Sequence, residues 1–359
     1  MPAEPNASRP RRGWLVPAAV VAGLFALLGV WIALGGMRPP APPTDEELTA
    51  AIADLGEKLE AAVVNGRDVT PLLAPAERWA QRRPDAAIAH RLVGQIRVER
   101  TEWPEAYAAF AQALSLDPSD AHLHRLAGGV AEQTQHWTQA NQHYEAAREL
   151  RPEDPALWVR LANVAVKEER YADAKPLLEA AIARRATLHE AQALLAGVLE
   201  HEGQPDEALA ALEAAYNLAA LEGGEPLRRY AVRLSEILRQ RGELVKASKV
   251  LRLPTPEDAF HPDVMQPLGE VLLELDQPLA AAQYFEQWVQ RDPTNGDAAA
   301  QAVAYYLEAQ EASQARAMLV VLRRIDARHP RLAELESGLR TLRANADAAP
   351  PSATPVIQP

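Results

Sequence analysis

The chain has 359 residues, 48% of them apolar and 24% charged, with a formal net charge of −12. That acidic balance excludes nonspecific nucleic-acid binding, which needs a basic footprint. No cysteine is present, which excludes disulfides, thiolate metal sites, a lipoprotein anchor and a cysteine nucleophile while leaving the redox compartment open.

In chain order, residues 1–13 are polar and place Arg9, Arg11 and Arg12 just ahead of a charge-free run, residues 14–36 (WLVPAAVVAGLFALLGVWIALGG). As a helix this run is long enough to cross a hydrocarbon layer of about 30 Å, with Trp14 and Trp31 suited to its two interfaces. The arginines before it and Asp45, Glu46 and Glu47 after it predict a cytoplasmic N-terminus and an exported remainder. This gives a single-pass protein of a bacterial-type inner membrane, with everything after the span on the periplasmic or extracellular side. A cleaved secretory signal would export the remainder too, but its apolar core is usually only about 7–15 residues and ends in an A-x-A site, which is missing here.

Residues 37–43 contain a stiff Pro-rich spacer. Residues 44–86 read as two helices. Thr44 and Glu47 form a capping box, Leu48, Ile52, Leu55, Leu59 and Val63 make an apolar stripe, Asn65-Gly66 ends the first helix, and a second runs over about Pro71 to Arg82 with Trp79 inward.

From Ala87 onward one pattern recurs every 34 residues, over 87–120, 121–154, 155–188 and 189–222 without a gap. A five-residue insertion, Gly223 to Leu227, interrupts it before it resumes over 228–261, 262–295 and 296–329. Small residues (Gly94, Gly128, Ala162; Ala106, Ala140, Ala174) fall where two helix backbones must approach, and Phe110, Tyr144, Leu178 and Phe285 fill the space beside them. Pro84, Pro118, Pro152 and Pro293 fall where one copy ends, and Pro104, Pro205 and Pro278 near the start of second helices, where a missing N–H costs little. Residues 331–344 carry Leu332, Leu335, Leu339 and Leu342 on one face, as a capping helix would, and residues 345–359 are too rich in Pro and Ala to pack.

This period and pattern resemble the tetratricopeptide repeat family. The resemblance implies an all-α fold, a right-handed α-solenoid of helix pairs with a concave groove, here preceded by one transmembrane helix, with residues 44–86 as a degenerate first copy that caps it. It also implies that positions 2, 5, 6, 9 and 12 of each first helix line the groove, where some members clamp a partner's terminal carboxylate. By position these are Arg91 and Gln95, His122 and Arg125, Arg160 and Asn163, and Arg229, Arg233 and Arg239. Leu126 and Ala156 stand where the clamp expects an asparagine and a lysine. The lining arginines suit an acidic or C-terminal peptide segment, and they also stand where groove acids such as Glu132, Glu200 and Glu236 could pair with them. The sixth copy puts Asp263 and Glu270 at groove positions, so the far end is more acidic.

No catalytic motif is present. There is no G-x-S-x-G, no phosphate-cradling loop and no H-E-x-x-H, which predicts a non-enzyme without cofactor or metal. His122 and His124 are two apart on a helix and point to different sides, so a shared ion is not expected. The expected function is a membrane-tethered scaffold or adaptor holding a protein or peptide segment and assisting assembly or maturation of envelope proteins. It is similar in layout to apocytochrome chaperones of c-type cytochrome maturation and to translocon-associated chaperones. The competing reading is a purely structural oligomerisation module, and the sequence leaves the oligomeric state open.

Overall fold

The capping box forms as the sequence requires. In the computed structural model, which describes residues 44–348, the Thr44 hydroxyl accepts from the Glu47 backbone N–H at 3.2 Å and the Glu47 carboxylate accepts from the Thr44 N–H at 2.9 Å. It opens α1 (Asp45–Val64), followed by α2 (Thr70–Arg82), α3 (Ala87–Glu99) and α4 (Trp103–Leu116). The apolar run over residues 14–36 lies outside the described residues, and among the described helices none is long and apolar enough to cross a membrane.

By internal contacts the chain divides into two compact units, Met1–Leu123 and His124–Pro359. The division falls inside α5 (Ala121–Gln133).

In the first unit α2 and α3 both pack on α1, and α4 packs on α3. Its core is Leu48, Ile52, Leu55, Leu59, Val69, Ala76, Leu92, Val93, Ile96 and Ala109. The stripe expected on α1 is correct except at its end, where Ala62 is buried and Val63 is 44% exposed. The buried positions Leu48, Ile52, Leu55, Leu59 and Ala62 alternate steps of four and three, so the stripe ends on Ala62, and Asn65 and Gly66, the latter at φ +60°, follow the helix end. Trp79 packs partly buried against this core, and the fully buried contact of α2 is Ala76.

The second unit continues with α6 (Trp137–Leu150), α7 (Pro155–Lys167), α8 (Tyr171–Arg184), α9 (His189–His201), α10 (Pro205–Ala219), α11 (Gly224–Gln240), α12 (Leu244–Val250), α13 (Pro256–Ala259), α14 (Pro262–Glu274), α15 (Pro278–Arg291), α16 (Gly296–Glu308), α17 (Ala312–Ile325) and α18 (Leu332–Ala348). From α6 to α11 each helix packs on the next, and from α14 to α18 the same holds. One apolar core runs from Ala196 to Leu339, and a smaller one joins α7, α8 and α9 through Val159, Leu178 and Val198. Leu335 and Leu339 seal its end, and α18 extends to Ala348, past the expected end at residue 344.

Two local rules repeat through the copies. Where the second helix turns the ring of Phe110, Tyr144 or Phe285 toward the eighth residue of the first, that residue is glycine. A Cβ on Gly94 would stand 2.6 Å from Phe110 Cδ1, one on Gly128 2.7 Å from Tyr144 Cε1, and one on Gly269 2.5 Å from the Tyr305 hydroxyl and 3.1 Å from Phe285. Where the second helix supplies Leu178 or Leu212, the eighth residue is Ala162 or Ala196. The close-packed interior is filled either way. The fifteenth residue of every copy, Thr101, Gln135, Glu169, Gly203, Gly242, Asp276 or Gln310, is left-handed, with φ between 57° and 76°. This is the backbone that ends the first helix and lets the next N–H reach back, as Glu102 does to the Arg97 carbonyl at 2.9 Å.

The fifth copy departs from the expected helix pair. The insertion does not stay a loop, because α11 begins at Gly224 and absorbs it as an added turn. The second helix is only α12, seven residues long, because Pro254 supplies no N–H and forces Leu253 out of helical backbone. Leu251, expected within that helix, is its C-cap and is fully buried. Asp258 ties the irregular segment down, accepting from Arg228 Nη1 at 2.5 Å, the Thr255 hydroxyl at 2.8 Å and the Gly224 N–H at 2.9 Å. Burial alone would push its carboxyl up, but these three donors outweigh it and hold Asp258 below the usual carboxylate value.

Candidate functional site: the first-helix face

In the first unit the candidate residues serve local order. Arg91 Nη1 donates to Asp120 Oδ2 at 3.4 Å, and Asp120 Oδ1 accepts the backbone N–H groups of His122 at 2.8 Å and Leu123 at 3.2 Å, which caps α5. Gln95 lies half-buried one turn beyond Arg91, and the His122 side chain is half-buried.

In the second unit the first helices bring candidate residues together as polar rungs between successive copies. Glu132 on α5 is the centre of the first. Its carboxylate accepts the Asn163 amide at 2.5 Å and the Tyr144 hydroxyl at 2.7 Å, and Arg160 Nη1 stands 3.8 Å away. Only 13% of the Glu132 side chain is exposed, against 47% for Arg160. Burial and then the bond to Glu132 push the Tyr144 phenol far above its ordinary value, so it remains a donor at any physiological pH. Arg125 is exposed on the same helix as Glu132.

The second rung is Glu200 on α9 with Arg233 on α11, 2.5 Å apart and both about 38–39% exposed. The third joins Arg239 to Glu270 at 3.1 Å and Glu274 at 3.0 Å on α14. Arg229 reaches Glu225, one turn back on α11, at 3.5 Å, lies 5.5 Å from the Tyr230 ring centroid and is 63% exposed. Of the acids named from sequence, Glu132 and Glu200 pair with the lining arginines, while Glu236 is exposed.

Sequence reading missed the Tyr144 hydroxyl and the bridging role of Glu132. A signal was present. The arginine stands 28 residues after Glu132 and 33 after Glu200, the difference being the insertion. An acid one residue from the end of a first helix therefore meets an arginine midway along the next.

Beyond the third rung the face changes sign. A cleft of about 430 Å³ opens between α14 and α16, with Glu270, Asp297, Gln266 and Gln301 around aromatic side chains. The histidines do not gather. His124 and His143 approach to 3.2 Å between Nδ1 atoms, and no group of three or more His, Asp or Glu among the described residues is arranged to hold a metal.

Profiles described as "Tetratricopeptide repeat" match residues 92–155, 133–197 and 272–339. The unmatched stretch between 197 and 272 holds the insertion and the shortened helix. The chain belongs to the tetratricopeptide repeat family. Among solved structures it is similar to MamA (15% identity, 46% of this chain and 95% of that one, TM-score 0.43). It is also similar to PilF of Pseudomonas aeruginosa (19%, 59% and 96%, TM-score 0.47) and to YrrB, described as a TPR protein with an unusual peptide-binding site (23%, 56% and 97%, TM-score 0.41). No curated protein matches the sequence.

Proposed function

We propose that the protein is a non-catalytic adaptor that holds an extended or helical segment of another protein against the first-helix face of residues 124–348. One observation carries this reading. Arg160 and Arg233 stand 47% and 39% exposed above acids that fix their position. A guanidinium has five donors in a planar fork, so a head steadied from one side keeps donors for a bidentate carboxylate on the other. Arg160 and Arg233 thus favour an acidic stretch or a C-terminus. The adaptor is tethered by residues 14–36 to a bacterial-type cytoplasmic membrane, with the repeats on the periplasmic side. That step rests on the length of the uncharged run and the arginines before it. A tethered, exported binder of extended segments would serve assembly or maturation of envelope proteins, including c-type cytochrome maturation and translocon-associated steps.

Affinity purification from native membranes with the full chain and its Arg160→Ala/Arg233→Ala variant tests the binding face. Recovery of the bound protein should fall sharply while the thermal unfolding midpoint stays within a few degrees. Unchanged recovery would remove the face from the function. Carbonate extraction tests the tether, which is wrong if the chain leaves the membrane fraction.

A further inference from the structure

We propose that the cleft between α14 and α16 receives an arginine or lysine side chain of the bound segment, an inference that rests on the first-helix face binding a segment at all. Its inner wall is aromatic. Phe285 is 4% exposed, with Trp288 edge-on at 5.7 Å and Tyr305 at 5.2 Å between ring centroids. Gly269 makes the arrangement possible, since any Cβ there would meet the Tyr305 hydroxyl.

The rim is acidic. Glu270 accepts from Arg239 through Oε2, and Asp297, its side chain 98% exposed, accepts from His329 through Oδ1 at 3.0 Å. A carboxylate has two oxygens and about four lone-pair sites, so each retains acceptor capacity toward the cleft. Asp263 lies on the same turn of α14 as the cleft mouth. Three chemistries compete for such a space. An anion meets two carboxylates, and the Arg331 guanidinium beside them is already held by Gln301 and Glu334. A neutral aliphatic group covers the carboxylates without satisfying them, which costs free energy. A long basic side chain lays its methylenes on the rings and puts its charge at the rim, gaining cation–π and charge-assisted hydrogen bonds together. A cleft of about 430 Å³ is within the usual range of roughly 300–1,000 Å³ for a specific subsite.

Arg160 and Arg233 offer positive charge earlier in the unit and this cleft offers negative charge later, so a bound segment with acid toward one end and a basic residue toward the other is held in one polarity.

Random dodecapeptides displayed on phage, selected against the full chain, test this. Selected peptides should carry Arg or Lys at one fixed position, and its replacement by norleucine should weaken binding about tenfold. Glu270→Gln/Asp297→Asn should produce the same loss, and Trp288→Gln, measured beside it, keeps the test readable if the charge variant folds poorly. Arg160→Ala/Arg233→Ala should leave the basic preference intact. Binders without a fixed basic position, or a preference that survives Glu270→Gln/Asp297→Asn, would overturn the cleft's role while leaving the face as a binding surface. Failure to select any binder would overturn both.

Discussion

Gly94 and Phe110 show how single residues set the distance between paired helices. In a free helix Gly→Ala is favourable by about 1 kcal/mol, but a Cβ on Gly94 would stand 2.6 Å from a ring carbon of fully buried Phe110. Overpacking of this kind costs about 1–3 kcal/mol. Gly94→Ala should therefore lower the unfolding free energy in the wild-type background and raise it in the Phe110→Leu background. A double-mutant cycle by urea denaturation reads the coupling directly, and equal effects in both backgrounds would show that the two residues do not share the space. A second residue-scale effect concerns His143. Burial, and then its neighbour His124, hold its pKa below the ordinary 6.5. As pH falls through that value the unfolded chain takes up the proton first, so stability is complete above about pH 6.5 and declines below it. His143→Gln should flatten this part of the stability profile measured between pH 5 and 8.

At the scale of elements, the left-handed fifteenth residue ends each first helix whether or not the side chain favours it. Gly203 and Gly242 adopt it freely, but Thr101 is β-branched at φ 59° and Asp276 sits at φ 57°. Thr101→Gly and Asp276→Gly should each stabilise by up to about 1 kcal/mol, since the strain relieved exceeds the added freedom of the unfolded chain. Thermal unfolding checks this, and a lowered midpoint would contradict it. Element order was legible because a 34-residue step with small residues at fixed places admits little besides stacked helix pairs. The shape of the fifth copy was not. Ala247 and Leu251 keep the register there, and register counts residues rather than helical turns, so the break imposed by Pro254 is invisible to it. The acids were legible as charge at groove positions, but not that Glu132 is mostly buried beneath Asn163 and Tyr144. That follows from which rotamers two neighbouring copies leave open.

For the whole molecule, an acidic chain with no cysteine presents arginines where its first helices face outward. Net charge governs association at a distance, whereas positioned guanidinium groups govern what is held in contact. Under the proposed function the second unit has two surfaces, a first-helix face that would bind and a second-helix face that would not. Site-specific photocrosslinking in native cells tests this most directly, with benzoylphenylalanine at Arg160 on the first face or at Val320, 50% exposed on α17. An adduct with another protein is expected from position 160 and none from 320; adducts from 320 alone would rule out the first-helix face as the binding surface.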